Sequence, residues 1–250
     1  LCSIIALSLV GAVFLFLSVA SVMETCRIDQ ANVYSEIINF DKDFVIVNLA
    51  LILLTLLAFI GMMHKHISFS SMSTLLIVFI MVIVTTVFSL IWINLCQSKS
   101  SGDGMYMLNT ARDAAQNTYQ SFHSSHEYYG NYSYYSFYPF QLGYVLFAEI
   151  LYRIFGTNSS DVLFQIPNVI ALDFLYVGIV MVTKKIFERR SVTNITAIVL
   201  MVCLQPMFMT TFTYGIIIGI CLSVWSVFFT IKFIKEKTLY WAGIAAMLIT

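Results

Sequence analysis

The chain has 250 residues, of which 60% are hydrophobic and 10% charged, with a mean hydropathy of +0.88. A soluble globular domain carries about a quarter of its residues as charged side chains, so this composition excludes an ordinary water-soluble fold. Thirteen Lys and Arg balance thirteen Asp and Glu, and a neutral chain of this kind gives no argument for nucleic-acid binding.

A helix needs about 20 mainly apolar residues to cross the hydrocarbon core. Lipid offers no partner to an unpaired backbone group, so such runs must be helical. The apolar runs predict spans at 3–23, 44–63, 73–95, 164–183, 192–207 and 214–233, with a seventh beginning near 239. The predicted fold class is therefore all-α, a polytopic transmembrane helix bundle. Its expected organisation is three spans in 1–96, an external loop over 97–163, and further spans in 164–250. The first run has no small-residue cleavage site after it and reads as a span, not a signal peptide. The sequence starts at Leu1 and stops at Thr250 inside an apolar run, and reads as a part of a longer polytopic protein. Cys2, Cys203 and Cys221 sit in apolar runs. Cys26 and Cys96 fall near span ends on one predicted side, where pairing and two free thiols both stay open.

From Gln97 to about Tyr138 the spanning pattern stops, and a polar, tyrosine-crowded segment takes its place. Loops of this length are usually functional or disordered, and this one is too aromatic for ordinary disorder. Residues 104–118 predict a short surface helix with Leu108, Ala111 and Ala115 along one side. A second is expected over 141–155, where Leu142, Val145, Leu146, Ile150 and Ile154 recur at helical spacing. At about 22 Å it is shorter than the roughly 30 Å hydrocarbon layer, and Glu149 and Arg153 interrupt it. It reads as an interfacial amphipathic helix. Eight of the thirteen basic residues fall on one side of this topology, and ten of the thirteen acids fall on the other. The positive-inside rule then places the N-terminus in the cytoplasm and loop 97–163 outside a cell membrane.

Several side chains in and near this loop could carry chemistry. Asp103 stands just outside the third span, between two glycines. Such a carboxylate can act as general base toward an acceptor hydroxyl or organise a metal. It is also well placed as a helix N-cap. The cluster Tyr128, Tyr129, Tyr132, Tyr134, Tyr135, Phe137, Tyr138 and Phe140 fits an interfacial belt, a sugar-stacking surface or a protein-docking surface. His123 and His126, beside Glu127, make half a metal site at most. Asp173 falls within the fourth span, where an acid is either functional or paired with a polar group on another helix. Asn131, Asn158 and Asn194 head glycosylation-type triplets.

In order along the chain come Asp103, Tyr106 and Ala111; then Tyr138-Pro-Phe-Gln-Leu-Gly-Tyr144; then Tyr152-Arg-Ile-Phe-Gly156 and Gln165-Ile-Pro-Asn168; then Leu204-Gln-Pro206 and Thr211-Phe-Thr-Tyr-Gly215. This series resembles the front half of GT-C membrane glycosyltransferases, of the protein O-mannosyltransferase and aminoarabinose transferase type (glycosyltransferase family 39), over residues 95–250. The resemblance implies a transferase that takes a sugar from a polyprenyl-phosphate donor in the bilayer and gives it to a glycan or protein acceptor outside. Asp103 would be the catalytic base, with a divalent metal as an alternative helper. Tyr106, Tyr138 and Gln141 would shape the sugar pocket. Many relatives have a second acid beside the first, or a Lys before the Pro segment. Gly104 and Phe137 stand near those places here, which leaves Arg112 and Arg153 as the external cations for a lipid phosphate. The rival readings are a transporter or flippase of lipid-linked saccharides, with sites near the membrane midplane, and a non-catalytic membrane scaffold.

Overall fold

A computed structural model describes residues 16, 19–20, 22–28, 38–42, 44–64, 71–100, 102–123 and 133–248. Most of the expected first span, with Tyr128, Tyr129, Tyr132, His126, Glu127 and Asn131, lies outside the described residues, as does the side chain of His123. The chain divides into two compact units, Leu1–Ile67 and Ser68–Thr250.

The first unit holds a two-stranded antiparallel ribbon that the all-α expectation did not contain. Strand β1 (Glu24–Ile28) pairs with β2 (Ile38–Lys42), with Glu24 opposite Lys42 and Cys26 opposite Phe40. Helix α1 (Val45–His64) follows over the expected second span. Near its start the Asn48 side-chain amide donates to the Val22 carbonyl at 3.2 Å.

The second unit is helical. Its elements are α2 (Thr74–Cys96), α3 (Gly102–Ala115), α4 (Gln120–His123), α5 (Tyr134–Phe137), α6 (Leu142–Phe155), α7 (Val162–Phe187), α8 (Arg190–Val202), α9 (Gln205–Phe208), α10 (Ile216–Glu236) and α11 (Leu239–Met247). Among the described residues, α2, α7 and α10 are long and apolar enough to cross a membrane. The expected span 192–207 is instead a broken pair. Helix α8 ends before Cys203, and Gln205–Thr211 continues at an angle of 46°. Pro206, which has no amide hydrogen to continue a helical ladder, sits in the first turn after the break. The two loop helices fall where the sequence placed them, with α6 at 14 residues, about 21 Å.

Helix α7 is central, packing against α2, α8 and α10. Leu172, Tyr176 and Met81 are fully or almost fully buried at its heart. Asp173, within the span-length helix α7, is paired: Thr86 donates to Oδ2 at 2.5 Å and Thr85 donates to Oδ1, both from α2. This is the helix-pairing alternative stated above, and the carboxylate acts as polar glue between two spans. On its other side α7 approaches α10 closely at Gly178. A Cβ there would lie 3.0 Å from Val224 Cγ1 and 3.2 Å from Trp225 Nε1, and Trp225 donates to the Phe174 carbonyl at 3.1 Å.

This close approach predicts a graded response to side-chain volume. Gly178→Ala asks Val224 and Trp225 to give way by a few tenths of an ångström, whereas Gly178→Val overpacks the contact and costs about 1–3 kcal/mol. Thermal unfolding of the detergent-solubilised protein should rank wild type, Ala and Val in that order, and equal melting of all three would contradict the packing.

Candidate functional site

Helices α3 and α6 lie face to face. The contact stripe of α3 is Gly104, Met107, Leu108, Ala111 and Ala114, all buried at helical spacing. It meets Val145, Ala148 and Tyr152 of α6, and the fully buried small side chains Ala111, Ala114 and Ala148 let the two backbones approach. The remaining aliphatic stripe of α6 points away from this contact. Leu142, Leu146, Ile150 and Ile154 are exposed, and so are Phe137 and Phe140 just before them. Of the five positions predicted for the apolar face, only Val145 turns inward.

Both candidate phosphate-binding arginines act as clamps across this helix pair. Arg112 donates to the Thr157 carbonyl, Asn109 Oδ1 and the Tyr152 hydroxyl, each at 3.1 Å, and lies over the Tyr152 ring. Arg153 forms the predicted i,i+4 pair with Glu149 at 2.8 Å. The same nitrogen, Nη2, also donates to the Ala114 carbonyl at 2.9 Å and Asn117 Oδ1 at 3.1 Å, so it closes the C-terminal end of α3. Nine residues separate Arg112 from Asp103, about 13.5 Å of helix rise. The cations and the acid therefore occupy different ends of α3.

At the acid's end, tyrosines pack into a core. Tyr106 packs at a tilt on Tyr134 with ring centroids 4.6 Å apart and donates its hydroxyl to the Ser121 carbonyl at 3.0 Å. Tyr138 packs on Tyr134 at 4.9 Å and edge-on against Phe140 at 6.1 Å. Burial pushes the Tyr135 hydroxyl up to about 12. This cluster is interior packing as much as an interfacial belt. Tyr138 is thus linked to Tyr106 through Tyr134.

Asp103 sits inside the first turn of α3, one position past its start, and is half-buried. It is thus in the helix and not before it, which sets aside the N-cap reading. Among the described residues no donor reaches its carboxylate. The flanking glycines have separate reasons. Gly102 adopts φ 53°, a left-handed conformation. Gly104 allows close approach, since a Cβ there would lie 3.1 Å from Thr213 Oγ1 and 3.2 Å from the Tyr214 ring. Asp103 is thereby held beside the segment that enters α10. The same segment receives the loop's first residues: Ser100 Oγ lies 2.8 Å from Thr213 Oγ1, and the Ser100 amide donates to Asp161 at 2.5 Å. Gln165 donates to the Ser98 carbonyl at 3.0 Å, and Asn168 to the Thr210 and Phe212 carbonyls at 3.0 and 2.7 Å.

Sequence reading quoted Tyr144 and Thr213 only within the ordered series, without a role of their own, and gave Asp161 none; all three adjoin this junction. Asp161 directly precedes the α7 run, a position that ordinarily suggests a cap, yet its carboxylate holds a loop amide 61 residues away. Tyr144 packs on Gly215 so closely that a Cβ there would meet its ring at 2.6 Å. Burial, with Tyr152 and Asp161 adding to it, holds the Tyr144 hydroxyl above the ordinary tyrosine range. Among the described residues, buried Tyr144 Oη, Gln141 Oε1 and Asn168 Oδ1 have no hydrogen-bond partner. Unpaired buried polar atoms are costly unless a ligand or water meets them, so the junction has spare hydrogen-bonding capacity suited to a polyhydroxylated molecule.

Beside it runs an apolar groove of about 560 Å³. Phe147 and Leu151 of α6, Pro167 and Phe174 of α7, and Leu222 and Trp225 of α10 supply its walls. Phe147 lies one turn along α6 from Tyr144. Among the described residues no three His, Cys, Asp or Glu side chains converge on a metal-sized site. Cys96 is a free, exposed thiol, and the Cys26 side chain lies outside the described residues. Asn158 is exposed, whereas Asn194 is fully buried and hydrogen-bonded to Thr74 and Met72, which leaves its triplet unavailable for glycosylation. Comparison with protein-family models, curated proteins and solved structures gives no match to this chain.

Removing the Arg153 clamp should weaken the loop assembly. Arg153→Ala loses the bonds to Ala114 and Asn117, a cost of about 1 kcal/mol given its partial exposure. Arg153→Lys should restore only part, because an ammonium cannot span the same acceptors. Hydrogen exchange in residues 102–117 measures it, and unchanged protection in Arg153→Ala would remove the clamp. Tyr135 supplies a pH test. Its folded-state proton is held to about 12, so between the ordinary tyrosine range near 10 and that value the unfolded chain releases its proton first and folding loses stability as pH rises. Tyr144 also ionises late, so absorbance titration should show a distinct tyrosine step near 12 that Tyr135→Phe removes while the remaining late ionisation persists.

Proposed function

We propose that this protein is a membrane glycosyltransferase that moves a sugar from a polyprenyl-phosphate donor to an extracytoplasmic acceptor such as a cell-wall or surface glycan. One observation carries the reading. The unpaired buried Tyr144 hydroxyl packs at Gly215, in the segment that Gly104 beside Asp103 also meets through Thr213 and Tyr214, and the Tyr144 ring lies 6.1 Å from Phe147 in the wall of the apolar groove. A lipid-linked sugar needs that combination: a polar site for its hydroxyls and an apolar channel for its chain.

In the proposed reaction Asp103 accepts the proton of the acceptor hydroxyl. The resulting nucleophile attacks the anomeric carbon, the bond from that carbon to the phosphate oxygen breaks, and polyprenyl phosphate leaves with inversion. Tyr106 supports Tyr138 through Tyr134, and Gln141 Oε1 offers a buried acceptor to a sugar hydroxyl. A divalent ion organised by Asp103 is the alternative route to the same nucleophile. Arg112 and Arg153 contribute by holding α3 against α6, since their nitrogens are directed to protein acceptors. The positive-inside bias supports a cell-membrane location with loop 97–163 outside and the N-terminus in the cytoplasm.

A second reading, a transporter of lipid-linked saccharides, draws on one observation: the span interrupted between α8 and α9. Broken helices line substrate sites in many transporters. Asp103→Asn separates the two. Transfer of radiolabelled sugar from lipid donor in reconstituted membranes should fall by about 10²–10⁴-fold, the usual contribution of a general base, with donor binding retained. Full transfer by the variant would rule out Asp103 as the base, whereas flux without glycoside formation in the wild type would favour the transporter.

A further inference from the structure

At the end of the bundle opposite the aromatic loop, the start of α2, the end of α7 and the start of α8 surround a second cavity of about 350 Å³. It is lined by Ser73, Thr74, Leu75, Lys184, Glu188, Arg189, Arg190 and Thr193. Its charge is one-sided. The only acid in the lining, Glu188, is engaged by Lys235 at 2.7 Å, which lowers its pKa below the usual carboxylate range. Lys235 also donates to the Lys185 carbonyl at 2.6 Å, and the Glu188 amide donates to the Lys184 carbonyl at 3.2 Å, so two of the terminal carbonyls of α7 are satisfied from within. Lys185, outside the lining, faces Glu236 at 3.8 Å. Lys184, Arg189 and Arg190 have no acidic partner among the described residues.

The backbone adds to the same field. Two helices of 23 and 13 residues begin at this cavity, and the first-turn N–H groups of each have no intrahelical acceptor. Ser73, at the N-cap of α2, makes no capping bond with its side chain. The walls are fixed by buried polar contacts. Thr74 donates to Asn194 Oδ1 at 2.7 Å, Asn194 donates to the Met72 carbonyl at 3.1 Å, and Thr193 bonds the Arg189 carbonyl at 3.2 Å. Three free cations, two helix N-termini and unused hydroxyl capacity on one rigid concavity form an anion site. Topology alone would explain basic residues at this end, yet it gives no reason for a cavity or for the neutralisation of its single acid.

We infer that this cavity binds a phosphate-bearing anion, held by Lys184, Arg189, Arg190 and the first turns of α2 and α8. The site is independent of the glycosyl-transfer reading. Its chemistry fits the phosphodiester of an anionic lipid in the leaflet away from the loop, and equally a soluble phosphate.

The test uses the whole chain in phosphatidylcholine nanodiscs, titrated with dioctanoyl phosphatidylglycerol, dioctanoyl phosphatidylcholine and inorganic phosphate, with binding read by thermophoresis. Wild type should prefer phosphatidylglycerol. The Lys184→Gln/Arg189→Gln/Arg190→Gln variant should bind it on the order of 100-fold more weakly, from the three cations lost. Lys99→Gln, at the other end of the bundle, should leave binding unchanged. Phosphatidylglycerol affinity equal in wild type and the triple variant, or lowered as much by Lys99→Gln, would overturn the site. Displacement of the lipid by millimolar phosphate, with the same sensitivity to the triple variant, would identify a soluble ligand; no displacement would identify the lipid. If the triple variant does not fold, Arg189→Gln and Arg190→Gln singly should each weaken binding several-fold, and no change in either would be equally fatal.

Discussion

The second unit depends on how it satisfies the backbone groups set free where α8 gives way to α9. In an apolar medium an unpaired carbonyl costs several kcal/mol, so a break in a span needs side-chain donors within reach. Three aromatic or amide side chains provide them. Tyr176 donates to the Cys203 carbonyl at 3.0 Å, Trp92 to the Phe208 carbonyl at 3.2 Å, and Asn168 to the Thr210 and Phe212 carbonyls. Those donors come from α2 and α7, the two spans that bracket the loop. The irregular segment is therefore fixed to the same scaffold that presents Asp103, and Thr213, Tyr214 and Gly215 keep a defined place against α3 and α6.

This arrangement gives the loop assembly two dissimilar supports. One is polar and local to the junction: Ser98 and Ser100 held by Gln165, Asp161 and Thr213. The other is the α3–α6 contact, made close by alanines and closed by two arginines. The tyrosine core fills the angle between α3 and the residues leading into α6. A tyrosine there serves both needs, since its ring packs while its hydroxyl reaches a backbone acceptor such as Ser121.

Much of the framework is legible in the sequence because hydropathy over 20 residues reports burial in lipid directly. The runs at 73–95, 164–183 and 214–233 coincide with α2, α7 and α10, and the charged interruption at Glu149 and Arg153 correctly keeps α6 short of a span. The ribbon β1–β2 escaped this reading. Ile38-Asn-Phe-Asp-Lys42 does alternate in polarity, but five residues beside 20-residue apolar runs are a weak signal. The break at Cys203 escaped because Leu204-Gln-Pro206 lies within an otherwise apolar run, and hydropathy averages over it. The long-range roles of the site residues were the least legible. Arg153 pairs with Glu149 as helical spacing requires, yet its bonds to Ala114 and Asn117 depend on where α3 lies in space. In the same way the series Gln165-Ile-Pro-Asn168 and Thr211–Gly215 could be quoted in order, while their hydrogen-bonded meeting could not be read from order alone.

The outward stripe Leu142, Leu146, Ile150 and Ile154 bears on how this protein should be handled. On the interfacial reading those four side chains are solvated by acyl chains. Moving even part of that surface into water costs roughly a few kcal/mol at 25 cal/mol per Å², comparable to the clamps that hold α6 to α3. Detergent extraction exchanges that contact for a micelle of different curvature and packing. Purification thus removes a structural ligand, the bilayer surface itself. Native-like lipid is consequently the appropriate reference state for work on the loop, and short-chain micelles amount to a perturbation experiment.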